Sequence, residues 1–229
     1  MEFFNNSVFF GVMLSLLAYG IGALLKQRFK LAIFNPLLIA VIIVIAVLAV
    51  SGIDYKVYNE GAKYISYLLT PATICLAIPL YEQFELLKSN WKAIGVGIFS
   101  GVLASLGSIL AMAVLFGFTH QEYVSFLPKS ITTAIGMGIS EELGGYVSIT
   151  VAIIVLTGVL GNMCAESVCK LFKIEEPIAK GIAIGTASHA IGTSKAMELG
   201  DIEGAMSSLS IVVSGLITVI GASVFAQFM

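Results

Sequence analysis

The stretch Ile178 to Gly204, IAKGIAIGTASHAIGTSKAMELGDIEG, decides how the rest of the chain is read. It begins as a membrane span does, with Ile178, Ile182 and Ile184 interleaved among Ala179, Gly181, Ala183 and Gly185. It then fills with hydroxyls, one imidazole and one ammonium, at Thr186, Ser188, His189, Thr193, Ser194 and Lys195, and glycines at 181, 185, 192 and 200 interrupt it. A helix facing lipid all round does not carry so many polar groups, because an unsatisfied one in hydrocarbon is costly. Polar or irregular backbone at that depth survives only where protein or a wet cavity surrounds it. Glycine-interrupted segments of this kind mark transporter binding sites, so the stretch is read as the floor of a solute site.

Composition supports a membrane setting. Of 229 residues, 58% are hydrophobic and 11% charged, against about 25% charged in an ordinary soluble domain. The net charge of −2 gives no footprint for nucleic acid. Three cysteines, Cys75, Cys164 and Cys169, lie in apolar segments without the spacing of a disulfide framework or a zinc site. No metal or cofactor is expected. The amino-terminal MEFFNNSVFFGVMLSLLAYG lacks a basic n-region and a small-residue cleavage site, and is expected to be a retained span.

A span needs about 20 mostly apolar residues. Candidates fall at residues 8–25, 31–50, 62–81, 93–118, 128–143, 146–168, 178–198 and 204–227, seven or eight in all. The third is broken by Pro71 and Pro79, which remove helical hydrogen bonds. The following EQFELLKSNWK is amphipathic and is expected to lie at the interface, with Trp91 as its anchor. A shift of 116 residues lays Thr70-Pro71-Ala72-Thr73 on Thr186-Ala187-Ser188-His189 and Glu82 on Glu198. One membrane domain over residues 1–229 is expected, with a first repeat over 1–120 and a second over 121–229.

Three short basic loops orient it: Lys26, Arg28 and Lys30; Lys88 and Lys92; Lys170, Lys173 and Lys180. Short basic loops stay cytoplasmic. Placing all three inside requires that 128–143 not cross fully and makes the two repeats inverted. The expected fold is therefore an all-α polytopic membrane protein with two inverted-topology repeats and paired broken helices.

Where helices break in the membrane, the amino termini of their halves present free N–H groups and partial positive charge, suited to an anion. Thr70, Thr73, Thr186, Ser188, Thr193 and Ser194 offer hydroxyls to complete such a site; singly, each is as well explained as glue between helices. Lys129, followed by Ser130, Thr132 and Thr133, either adds positive charge to the pocket or snorkels to the headgroups. His189 either hydrogen-bonds substrate, relays a proton, or is a satisfied core histidine. Lys195 and Glu198 pair at helical spacing, either as buried coupling or gating groups or as a solvated helix end. The pairs Gly158 with Gly161, Gly181 with Gly185 and Gly97 with Gly101 read as close-packing contacts. No metalloprotease, phosphate-loop, nucleophile-elbow or dinucleotide motif is present, and the chain is not expected to be an enzyme.

On these residues the chain resembles the LrgB/CidB family of bacterial membrane proteins, which includes the plastid glycolate/glycerate translocator. The resemblance runs through Asn35-Pro36-Leu37-Leu38, Pro71-Ala72, Pro79-Leu80-Tyr81-Glu82, Leu127-Pro128-Lys129-Ser130 with Thr132-Thr133, and most specifically Gly185 to Thr193 followed by Glu198 and Glu203-Gly204-Ala205. Glu141-Glu142 depart from the small or neutral residues of other members. The resemblance implies either a carrier of small monocarboxylates such as glycolate, glycerate, pyruvate or lactate, with the proton as candidate coupling ion, or a holin/antiholin-like regulator of murein hydrolase activity and lysis. It also implies a multi-pass place in the bacterial cytoplasmic membrane, a small LrgA/CidA-type membrane partner, and a distant likeness to the cation/proton antiporter and bile-acid symporter group. Glycine-lined spans suit a homodimer. In the carrier reading Thr70, Thr73, Ser130, Thr132, Thr133, Thr186, Ser188 and Thr193 hold the carboxylate with the half-helix amides, Lys129 attracts it, and His189 bonds it or carries a proton.

Overall fold

The computed structural model describes residues 9–29, 34–75 and 77–229. The side chains of Leu69, Thr70 and Thr73 lie outside the described residues, so two of the expected hydroxyls are not placed. The described chain is helical throughout, and among the described residues four helices are long and apolar enough to cross a membrane. The chain divides into two compact units, Met1–Cys75 and Leu76–Met229.

The first unit contains α1 (Phe10–Phe29), α2 (Pro36–Ser51), α3 (Tyr55–Ser66) and α4 (Leu69–Cys75). The Asn35 side chain caps α2 by accepting from the Leu37 and Leu38 amides at 2.9 and 3.2 Å, with Pro36 at the first helical position. That is why the Asn-Pro pair starts a helix rather than kinking one. Gly11 of α1 lies so close to α3 that a Cβ there would meet the Tyr58 carbonyl at 2.1 Å. The expected span over 62–81 is not one helix. Helix α3 ends at Ser66, residues 67 and 68 form a turn, and Pro71 lies within α4.

The second unit contains α5 (Ala77–Glu82), α6 (Phe84–Phe116), α7 (His120–Phe126), α8 (Thr133–Glu142), α9 (Val147–Leu171), α10 (Pro177–Leu199) and α11 (Asp201–Phe225). EQFELLKSNWK is not a separate surface helix, because residues from Phe84 onward form the first turns of the 33-residue α6. At 1.5 Å per residue that helix is about 50 Å long, well beyond a hydrocarbon core of about 30 Å. Amphipathic turns therefore continue a span and project past it.

Helices α6, α9 and α11 run between a basic end, marked by Lys170, Lys173 and Lys180, and an opposite end. At the basic end Asn90 of α6 and Glu176 line one groove. At the opposite end the Tyr123 hydroxyl donates to the Phe225 carbonyl at 2.9 Å and His120 Nδ1 to that of Met229 at 2.6 Å. Ile94, Ile98, Val102, Leu106 and Ile109, on one face of α6, pack with Tyr123, Leu127, Ile131 and Met206 in the apolar core.

Two other segments, α10 and residues 120–143, do not run from one end to the other. Helix α10 doubles back on itself. An unbroken helix would separate Ile184 from Gly192 by about 12 Å and from Ala196 by about 18 Å. Instead a Cβ on Gly192 would meet Ile184 Cγ2 at 3.2 Å, and Ala196 packs with Ile184 and Ala165 in one buried cluster. The reversal is at His189, whose φ of 43° and ψ of −142° are not helical. Residues 178–198, expected to span, thus enter from the basic end, turn at His189 and return to the basic end.

The segment 120–143 is its counterpart from the opposite end. Ser125 Oγ accepts from the Tyr146 amide at 2.7 Å, while Thr150 Oγ1 donates to the Ser125 carbonyl at 2.9 Å and lies 2.7 Å from Ser140 Oγ. These bonds bring the end of α7, the end of α8 and the start of α9 to one level. Between them the chain dips to Lys129, which reaches Ser105, well inside α6. Residues 128–143 accordingly form the turn and outgoing arm of a re-entrant segment.

Candidate functional site

The tip of the α10 hairpin is built on missing side chains. A Cβ on Gly158 of α9 would come within 2.8 Å of the His189 ring, and one on Gly161 within 2.1 Å of Ser188 Oγ. On the other side, a Cβ on Gly181 or Gly185 would meet the carbonyls of Glu203 and Ser207 in α11 at 2.5 Å. Gly101 of α6 leaves room for Thr186. The glycine pairs are packing contacts, and what they pack is the polar hairpin.

Its polar groups are partnered one by one. His189, 3% exposed, sends Nε2 to the Ile154 carbonyl at 3.0 Å. A carbonyl only accepts, so Nε2 carries the hydrogen. Thr193 Oγ1 lies 2.9 Å from the His189 carbonyl and 2.7 Å from Ser207 Oγ. Ser188 and Thr186 return their hydroxyls to carbonyls of their own helix, Ser188 to Ile184 at 3.2 Å and Thr186 to Ile182. Asn162 Nδ2 donates to the Ile191 carbonyl at 2.8 Å and to Ser194 Oγ at 2.9 Å, holding the return arm against α9. Among the described residues no buried side-chain polar atom lacks a partner, as membrane burial demands.

The second tip differs. Lys129 Nζ donates to Ser130 Oγ at 2.9 Å and to Ser105 Oγ at 3.2 Å, and Ser105 Oγ donates to Ser130 Oγ at 3.1 Å. Ser130 is 6% exposed, and no carboxylate is within ion-pair reach of Lys129 among the described residues. Thr132 caps α8 in extended conformation without a side-chain bond to the first turn, so Thr132 and Thr133 sit where that helix presents its amides. The Lys129 amine and the amino terminus of a helix lie together here, both suited to an anion.

Ile154, fully buried, joins the two tips. Its carbonyl receives His189, and its side chain fills the space left by Gly136 in α8, where a Cβ would meet Ile154 Cδ1 at 2.4 Å. Thr186, Ser188, His189 and Thr193 therefore share one hairpin, Lys129, Ser130, Thr132 and Thr133 the other, and Ile154 bridges them. Lys195 and Glu198 lie away from the tips, at the basic base of the return arm, where Lys195 is 3.4 Å from Glu166 and 3.2 Å from Glu198. Sequence reading missed Ser105, Asn162 and Ser207. Each is a polar residue in an otherwise apolar helix, but only the fold shows which polar group it meets.

Two further features frame the hairpin. A groove of about 650 Å³ runs between α6 and the entering arm of α10, from Asn90 and Glu176 to Ala104 and Thr186. A chamber of about 290 Å³ lies at the hairpin base, walled by Glu166, Cys169, Lys180 and Leu199 among others.

The chain matches the LrgB-like family over residues 15–228. It is 39% identical over 221 residues to proteins called antiholin-like protein LrgB in Bacillus mycoides, Bacillus cereus and Bacillus anthracis, covering 96% of this chain and 96% of each relative. No solved structure matches it.

Proposed function

We propose, from the premise that the chain belongs to the LrgB-like family, that it shares the antiholin-like cellular role in its relatives' name and performs it as a secondary carrier of small monocarboxylates. The observation that carries the molecular half of this reading is the pair of re-entrant segments meeting at Ile154. Non-crossing polar segments from opposite ends are expensive to keep in a membrane, and they repay their cost where solute is handled at mid-depth. Lys129 with Ser130, Thr132 and Thr133 would attract and hold a carboxylate, and the His189 hairpin with Thr186, Ser188 and Thr193 would form the other wall. The paired hydroxyls Thr70 and Thr73 belong to this reading through the inverted repeat, with the proton as coupling ion and a homodimer in the bacterial cytoplasmic membrane as its setting. The protein is not an enzyme in this account, and it alters lysis through organic-acid flux.

A second reading is favoured by the relatives' name itself. The chain is then an antiholin-like regulator of murein hydrolase activity that works with a small LrgA/CidA-type partner and moves no solute. The fully partnered polar cluster around His189 suits a rigid structural element of that kind.

Purified protein in proteoliposomes separates the two. The carrier reading expects saturable, competable uptake of labelled pyruvate, lactate or glycolate without release of an entrapped dye. Absence of uptake together with restored lysis control in cells lacking the protein establishes the second reading instead.

A further inference from the structure

The two arms of the α10 hairpin are fastened differently at the basic end. The entering arm is tied to α11 through Lys180 and Glu203, 3.9 Å apart. Glu203 is 7% exposed, so breaking that pair would strand a buried carboxylate. The return arm is tied to α9 through Lys195 and Glu166, 3.4 Å apart. Each member of this second pair has another partner on its own helix. Lys195 is 3.2 Å from Glu198, one turn on, and Glu166 is 2.8 Å from Lys170. Separating α9 from the return arm therefore leaves neither charge unpaired.

We infer that the base of the return arm is a gate latched by Lys195, which holds Glu166 when the gate is closed and keeps Glu198 alone when it opens. The entering arm is the fixed wall. The upper return arm is pinned by Asn162, by the Thr193–Ser207 hydroxyl pair and by Ala196 packed on Ala165 and Ile184, so motion is confined to the Lys195 side chain and the end of the last turn, around Met197 to Leu199. That turn borders the 290 Å³ chamber, where Leu199 and Glu166 lie in the same wall. The chamber, already open on its Lys170 and Lys173 side, widens as the latch parts, and buried Cys169 in its wall becomes more reachable from the basic side. This gate goes beyond the carrier reading and does not depend on which solute, if any, is moved.

The test uses the full chain with Cys75→Ser and Cys164→Ser, reconstituted in vesicles, so that Cys169 is the one thiol. A membrane-impermeant maleimide is added from the basic side. Glu166→Gln removes the closed-state partner and is expected to speed labelling about two- to fivefold, the scale of a partly exposed ion pair. Glu198→Gln removes the open-state partner and is expected to slow it. Roughly 1 M salt, which shortens the screening length to about 3 Å, speeds labelling of the parent and adds little to Glu166→Gln. Unchanged rates in both variants, or shifts in the same direction, overturn the gate. The Glu198→Gln and salt arms stand if Glu166→Gln fails to fold, and uptake is measured separately.

Discussion

His189 Nε2 lies 3.0 Å from the carbonyl of Ile154, and this single bond seats the turn of one re-entrant segment against the residue that also seats the other. The side chain and the backbone of His189 do different work there. The imidazole satisfies a buried carbonyl, while the φ of 43° lets α10 reverse.

That division gives the first expectation. A left-handed residue other than glycine costs of order 1–3 kcal/mol. His189→Ala keeps that cost and loses the bond, whereas His189→Gly loses the bond but relieves the backbone. Thermal unfolding in detergent is expected to rank His189→Gly above His189→Ala by about 1 kcal/mol. In the carrier reading both lose uptake. An Ala variant as stable as the Gly variant would show that the backbone is not strained there.

Gly161→Ala would place a methyl group 2.1 Å from Ser188 Oγ and force the hairpin from α9. Overpacking of this kind costs about 1–3 kcal/mol. Gly107→Ala on α6 meets nothing within 4 Å and is expected to be neutral or slightly stabilising. Paired melting curves check both.

Asn162→Ala removes both hydrogen bonds that its amide gives the return arm and leaves the Ile191 carbonyl with the Ser194 hydroxyl. Hydrogen bonds between membrane helices are worth about 0.6–1.7 kcal/mol, so a loss of about 1–2 kcal/mol is expected. Hydrogen exchange should rise in residues 190–199 before the rest of α10. A uniform rise along the helix would count against a separately held arm.

Lys129 faces hydroxyls and, among the described residues, no carboxylate. Lys129→Met is expected to keep or raise thermal stability, because an uncompensated charge leaves the interior, and to abolish uptake in the carrier reading. Ser105→Ala should weaken uptake less. Lys129→Met with full uptake removes the lysine from the site.

Much of this was legible in the sequence, for identifiable reasons. Hydropathy alone marks α1, α6, α9 and α11, since length and apolarity make a span. The polar, glycine-rich character of 185–194 marks the break, and the pairs Gly158–Gly161 and Gly181–Gly185 mark close packing. What composition could not show is that the break is a reversal. The arms before and after His189 are each ordinary helix, and a straight and a doubled helix share one local pattern. A glycine at the turn would have signalled it, but the residue with positive φ is a histidine. The extent of α6 was hidden because EQFELLKSNWK looks like a surface helix until the apolar run after it is seen to continue the same turns. Ser105 was invisible for another reason: its partner Lys129 is brought to it by the dip of 120–143, a long-range relation with no periodic trace.

The reversal of α10 is the claim on which the site and the gate both stand, and one distance tests it. Spin labels at positions 179 and 198, in a chain with the native cysteines replaced by serine, flank Lys180 and Leu199, which line the same chamber. An unbroken helix would separate the labelled positions by about 28 Å. Pulsed electron resonance in lipid is expected to give a clearly shorter distance, with the two labels on one side of the membrane. A distance of about 28 Å or more would mean that α10 crosses, and the account of its tip and its gate would fall with it.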